Sequence, residues 1–93
     1  MEAGGTLLPL TRLAVAEKPF ELPGWPGLRV LRLHQPEERR GRFLYVLLEG
    51  ELLIDLPNGN YLHLHPKDAA QTEGDHVLTP IAEAVVLEWK PSS

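Results

Sequence analysis

Phe43-Leu-Tyr-Val-Leu-Leu-Glu-Gly-Glu-Leu-Leu-Ile-Asp-Leu56, followed by Pro57-Asn-Gly-Asn60 and Tyr61-Leu-His-Leu-His65, is the stretch on which the fold turns. Asn58-Gly59 readily takes the positive φ angles of a tight hairpin turn, so the chain reverses there. Tyr61 to His65 alternates strictly, with Leu62 and Leu64 on one face and Tyr61, His63 and His65 on the other. Ahead of the turn, Phe43 to Leu48 is a continuous apolar run, bounded by the polar residues 35 to 42 and by Glu49-Gly50. That is the pattern of a central strand covered on both faces. Glu51 to Leu56 reads as its hairpin partner across a turn at Glu49-Gly50.

The flanking segments follow the same logic. Leu28 to His34 alternates, with Arg29, Leu31 and Leu33 on one face and Leu28, Val30, Arg32 and His34 on the other. Pro66-Lys67-Asp68 reads as a turn, Ala69 to Thr72 as a short strand and Glu73-Gly74-Asp75 as another turn. Ala84 to Trp89 is a final strand with Val85, Leu87 and Trp89 on a shared face. Nine prolines are spread along the chain, and each would cost about 3 kcal/mol inside a helix, so long helices are not expected. The sum is an all-β fold, a small antiparallel barrel or jelly roll. In the first 27 residues, Thr11 to Glu17 fits either a helical turn or an arm strand, and Leu22 to Gly27 is a turn-rich loop carrying Trp25. The expected organisation is a single domain, with an arm and loop over 1–27 and the barrel over 28–93.

Composition sets the outer limits. A chain of 93 residues supports one hydrophobic core, and a lone core of that size is marginal. Cysteine is absent, which excludes disulfides, thiolate catalysis and cysteine-ligated metal sites, and suits a reducing compartment. Oligomerisation is the remaining support, so a homodimer is expected. A formal net charge of -4 argues against a nucleic-acid partner, which needs a basic face. Arg39, Arg40 and Arg42 stand beside Glu37 and Glu38, a mixture that reads as a solvated loop rather than an anion site. The amino terminus lacks the basic start of a secretory signal, and the 43–48 run is too short to span a bilayer. Taken together, these features predict a cytoplasmic protein without a membrane partner.

The Phe43 to Leu56 stretch, the Asn58-Gly59 turn and Tyr61-Leu-His-Leu-His-Pro-Lys-Asp68 resemble the cupin superfamily, and the resemblance covers residues 28 to 89. In that family a strand ending in a Leu-Glu-Gly-Glu-like turn begins a hairpin, and a Leu-x-Pro-Gly-Asp turn follows; here Lys67 stands where Gly is usual. The resemblance implies a small jelly-roll barrel that pairs with a second copy through outer strands. Metal-binding members place His-x-His, a few residues later a Glu, and then the turn Gly, so that three side chains converge on an ion. Counting back from Gly50 puts Phe43 at the Glu position, with Pro36 and Glu38, or Glu37 and Arg39, at the His positions. None of those ligands is in register. Thr72-Glu-Gly-Asp-His76 is the nearest approach to the family's second motif, Pro-x-Gly-x-x-His, with the Pro missing and the His one position early; on the resemblance alone, His76 could be a relic of the fourth ligand.

These readings leave three functions open, one of them a regulatory partner that docks on another protein through its sheet edge, with residues 6 to 16 as an apolar face that could equally close the dimer. In the first, the chain is a binding or structural module without a metal cofactor, its pocket for a small apolar or amphipathic ligand formed by His34, Phe43, Tyr45 and His76. Phe43 and Tyr45 alternate inward with Leu47, and a buried phenol needs a hydrogen-bond partner or a ligand. A barrel simply filled by these side chains is the bland counterpart. In the second, a divalent metal held by His34, His76 and Glu37 or Glu38 supports isomerase or oxygenase chemistry. His63-x-His65 also has chelating spacing, although no third ligand is apparent in the sequence. Trp25 and Trp89 read as core and interface fillers.

Overall fold

The computed structural model describes residues 4–91; residues 1–3 of the expected arm and 92–93 of the expected barrel lie outside the described residues. Among the described residues seven antiparallel strands carry the fold: β1 (Phe20–Glu21), β2 (Leu28–Leu33), β3 (Glu37–Arg40), β4 (Phe43–Asp55), β5 (Tyr61–Leu64), β6 (Ala69–Thr72) and β7 (Asp75–Trp89). A single helical turn, α1 (Leu10–Leu13), precedes them. Among the described residues no helix is long and apolar enough to cross a membrane.

The two long strands organise everything else. β4 and β7 pair along most of their length, from Leu44 opposite Trp89 to Asp55 opposite Val77. The first half of β4 also pairs with β6 and its second half with β5, while β7 pairs with β3 at its start and with β2 at its end. The result is two layers, β1-β2-β7-β4-β6 and β3-β7-β4-β5, which share the long strands. Their inner faces meet through Leu31, Leu33, Phe43, Tyr45 and Leu47 from one layer and Leu52, Ile54, Leu64 and Leu78 from the other. Among the described residues no ladder joins β2 to β3 or β5 to β6, so the sheet is rolled over itself without being closed by hydrogen bonds.

Three expectations are corrected here. Glu49-Gly50 is not a hairpin turn, because residues 43–55 form one continuous strand and Glu51 to Leu56 extends the apolar run instead of folding back on it. The ladder register slips between Leu47 and Glu49 and again between Gly50 and Glu51, which is a bulge that bends the strand from one layer to the other. Residues 37–40 are not a free loop but strand β3, held by pairs from Glu37–Leu78 to Arg40–Asp75. Trp25 and Trp89 are not core residues, being 65% and 42% exposed.

The ambiguous first segment takes both of its readings. Leu10 and Leu13 of α1 pack with Ala14, Val30, Val85 and Leu87 on the outer face of the first layer, and Ala16 bridges Arg32. Arg32 ties this segment down by donating to the carbonyls of Ala14 and Thr11. At the Asn58-Gly59 reversal, both residues have positive φ, 76° and 77°, as the sequence requires.

Gly50 is the tightest point of the bend. Its φ is +83°, and a Cβ there would lie 2.1 Å from the Glu83 carbonyl oxygen and 3.1 Å from the Ala84 Cα. Gly50→Ala is therefore expected to destabilise the fold by about 3 kcal/mol or more, combining left-handed strain with a clash against backbone. Gly59→Ala, with positive φ but open space around it, should cost about 1–2 kcal/mol. Urea unfolding of the two variants checks the difference.

Candidate functional site

Alternation along β4 sends Phe43 and Tyr45 into the space between the layers, and β7 brings His76 to the same place. All three are buried, with exposures of 6%, 0% and 3%. The Phe43 and Tyr45 rings stack at 5.5 Å between centroids, and the His76 ring meets them edge-on at 5.7 and 5.6 Å. The structure thus brings together three of the four residues singled out in the sequence. His34 is not among them: it lies just beyond β2, exposed, with Nε2 3.8 Å from a Glu17 carboxylate oxygen.

Hydrogen bonds fix the state of this cluster. His76 Nδ1 lies 2.9 Å from the Gly74 carbonyl oxygen, which only accepts, so Nδ1 carries the proton. Nε2 lies 2.7 Å from the Tyr45 hydroxyl and 3.3 Å from that of Thr72, and in the neutral ring it accepts from them. Burial, reinforced by the Glu88 carboxylate and opposed by Arg39 and Arg29, pushes the Tyr45 phenol well above its ordinary value. Tyr45 therefore keeps its phenolic proton at neutral pH.

Next to the cluster sits a charged triad that the sequence reading passed over. Glu88 pairs with Tyr45 across the β4–β7 ladder and is 1% exposed. Arg29 Nε and Nη2 donate to its Oε1 at 3.0 and 2.8 Å, and Arg39 Nε donates to Oε2 at 2.9 Å. Arg39 also donates to Glu37 Oε1 at 2.9 Å and to the Glu38 carbonyl. Burial acts to lower the Arg39 pKa, but the Glu88 and Glu37 carboxylates together outweigh it and the net shift is upward. A signal did exist in the sequence: the strand that offers Val85, Leu87 and Trp89 to one face must turn Glu88 to the other, where it needs cationic partners.

The triad forms the floor of an open groove of about 620 Å3, bounded by β3 and by Pro19, Glu21, Phe43 and Lys90. Lys90 Nζ stands 5.7 Å from the centre of the Phe43 ring. A second groove, of about 460 Å3, lies on the other side of β3 and reaches His76. Phe43 and His76 thus each border a groove, while the rings themselves fill the interior between them.

An interior metal ion of the kind the cupin resemblance implies for metal-binding members does not fit these residues. His76 is the imidazole of the cluster, and each of its ring nitrogens already has a protein partner. Phe43 supplies a hydrocarbon face where a carboxylate ligand would be needed. Glu37 is bonded to Arg39, and His34 lies at the surface beside Glu17, so among the described residues His34 and His76 assemble with neither Glu37 nor Glu38. A different imidazole group stands on the outside of the second layer, where Glu51, His63 and His65 bring potential ligand atoms within 4.8 Å of one another. Register, which sequence spacing alone does not reveal, supplies Glu51.

Comparison with known proteins agrees with this architecture. No protein-family model and no curated protein sequence matches the chain. In structure it is similar to a cupin-2 domain containing protein from Shewanella frigidimarina, with TM-score 0.73 and 10% identity over 88% of this chain and 87% of that one. The fold is cupin-like. A cupin superfamily protein from Desulfitobacterium hafniense gives TM-score 0.67 and 19% identity over 92% of this chain and 90% of that one. The iron(II) form of HppE in complex with substrate gives TM-score 0.57 and 18% identity over 68% of this chain, but only 45% of its own. At these identities the likeness extends to the cupin-like fold alone.

Two outcomes test the site. Glu88→Gln leaves Arg29 and Arg39 without their shared carboxylate and should destabilise the fold by about 3 kcal/mol, read by urea denaturation. The raised Tyr45 pKa makes its contribution to stability complete below the ordinary phenol value of 10.0 and lost as pH climbs beyond it, because the unfolded chain then releases a proton that the folded one keeps. Unfolding free energy should accordingly fall as pH climbs above 10, and Tyr45→Phe should flatten that decline.

Proposed function

We propose that this chain is a ligand-binding module of cupin-like fold that holds a small amphipathic molecule in the groove beside β3, without a metal in its interior. The observation that supports it is the groove's floor, where Arg29, Arg39 and Glu88 are locked in fixed orientation next to the apolar edge of Phe43. Small-molecule sites combine an apolar wall with a few oriented polar groups in a volume of roughly 300–1,000 Å3. The groove has both elements and a volume of about 620 Å3. Its charges are mixed, with Arg29, Arg39, Arg40 and Lys90 facing Glu21, Glu37, Glu38 and Glu88. The ligand it suits offers both acceptors and donors along one edge and a flat apolar face to Phe43.

The module is a homodimer in this reading. Trp25, Leu28, Leu44, Val46, Leu87 and Trp89 line an apolar depression of about 230 Å3 on the outer face of the first layer. A chain whose own core is small gains most from covering such a face with a second copy. The cysteine-free composition supports a cytoplasmic location. Trp89→Arg should halve the molar mass measured by light scattering; a wild-type monomer would remove the dimer.

Thermal-shift and amide-shift screening of the full chain against a library of small amphipathic acids and amides tests the binding site. Saturable binders should perturb residues 37–40 and Lys90, and Lys90→Ala should weaken them several-fold. Binders that map elsewhere would overturn the assignment. Elemental analysis tests the metal-free interior: an ion retained in a His63→Ala/Glu51→Gln variant and lost in His76→Ala would refute it.

A further inference from the structure

The β4–β5 hairpin carries chemistry that the interior site does not use. Leu52 and Ile54 of β4 and Leu62 and Leu64 of β5 point into the core or its margin. Period-two alternation then obliges Glu51, His63 and His65 to stand on the opposite, outer face. The ladder pairs Leu52 with Leu64 and Leu53 with His63, so Glu51 falls opposite His65 with His63 on the diagonal. His63 Nε2 lies 2.7 Å from Glu51 Oε2, and His65 Nε2 lies 3.9 Å from the same oxygen. The two imidazole rings are 4.4 Å apart between centroids.

We propose that Glu51, His63 and His65 form a surface site for a divalent transition metal of the zinc type, which clips β5 to β4. Two imidazole nitrogens and one carboxylate oxygen are ligands that such an ion accepts at about 2.0–2.2 Å, which in a tetrahedral site sets them roughly 3.4 Å apart. The 2.7 and 3.9 Å separations from Glu51 Oε2 bracket that value and all three ligand atoms lie within 4.8 Å of one another, a spread that side-chain rotation can close.

The surroundings favour the same arrangement. His65 turns Nε2 towards Glu51 and Nδ1 towards Asp68, whose Oδ2 is 3.8 Å from Nδ1 and accepts the His65 backbone N–H at 2.8 Å. At 3.8 Å this carboxylate is not hydrogen-bonded to the ring, but a small rotation on metal binding would bring it onto the far ring nitrogen, where it would hold the proton and leave the Nε2 lone pair for the ion. The ligands come from two strands already fixed by hydrogen bonds, so little ordering remains to be done on binding. All three side chains are partly open to solvent, leaving room for water at the remaining coordination position. The ion would bind on the outer face, opposite the inward-facing Phe43 and His76.

The test is calorimetric titration of zinc chloride into the full chain after chelator treatment and removal of the chelator. One saturable zinc per chain is expected, with at least tenfold weaker binding in His63→Ala, His65→Ala and Glu51→Gln. His34→Ala should bind as the wild type does, and Asp68→Asn should weaken binding about tenfold. Amide exchange of β5 should slow on zinc addition. Because the ligands are at the surface, the variants should keep the zinc-free unfolding midpoint of the parent, which separates loss of ligation from loss of fold. Absence of saturable binding by the wild type, half an ion per chain, or equal affinity in His63→Ala would each overturn the proposal.

Discussion

The backbone approach at Gly50 is the constraint from which the rest of the molecule follows. Two long antiparallel strands would otherwise continue as one flat ribbon with no interior. At Gly50 the ladder slips, β7 loops out two residues at Ala82 and Glu83, and both strands pass from one layer to the other. A side chain at this position would collide with the Glu83 carbonyl. Only after the bend can Tyr45 and Leu47 face Leu52 and Ile54, which lie on the same strand yet in opposite layers. The core is therefore built largely from one strand folded against itself, with β7 as its companion.

The bend also determines what the interior can do. It gathers aromatic rings where a metal site would need carboxylate and imidazole, and it buries Glu88 beside them. A buried carboxylate survives only with fixed counter-charges, and Arg29 and Arg39 supply them from β2 and β3. The pair joins both layers to the last strand, so the ionic group fixes relative position as well as neutralising charge. Tyr45, His76, Thr72 and the Gly74 carbonyl close a short hydrogen-bonded chain, and no buried side-chain polar atom among the described residues lacks a partner. An interior so completely satisfied offers little to an ion, which directs attention to the groove beside β3 and, for metals, to the outer face of the β4–β5 ladder.

Much of the fold was legible because alternation and turn chemistry are local. The inward parity of Phe43, Tyr45 and Leu47, the Asn58-Gly59 reversal and the outward parity of His63 and His65 required no knowledge of distant residues. Gly50 was legible as a special position but not as a bulge: a glycine between apolar stretches fits either a turn or a bend, and the choice depends on whether β7 runs alongside. The 35–42 segment misread for a similar reason. Its glutamates and arginines describe a solvated loop until Glu88, nearly fifty residues away, supplies the partner that draws Arg39 inward.

The sequence by itself therefore determined the strand character of the chain, its turns and which side chains share a face, since these depend on near neighbours and a period of two. Tertiary structure decided which faces meet. It made one strand of two apparent ones, brought His76 to Tyr45 and left His34 outside, and set Glu51 across from His65. Those outcomes rest on register between segments far apart in the chain, and register is fixed by the sum of long-range packing and hydrogen bonding rather than by any residue alone.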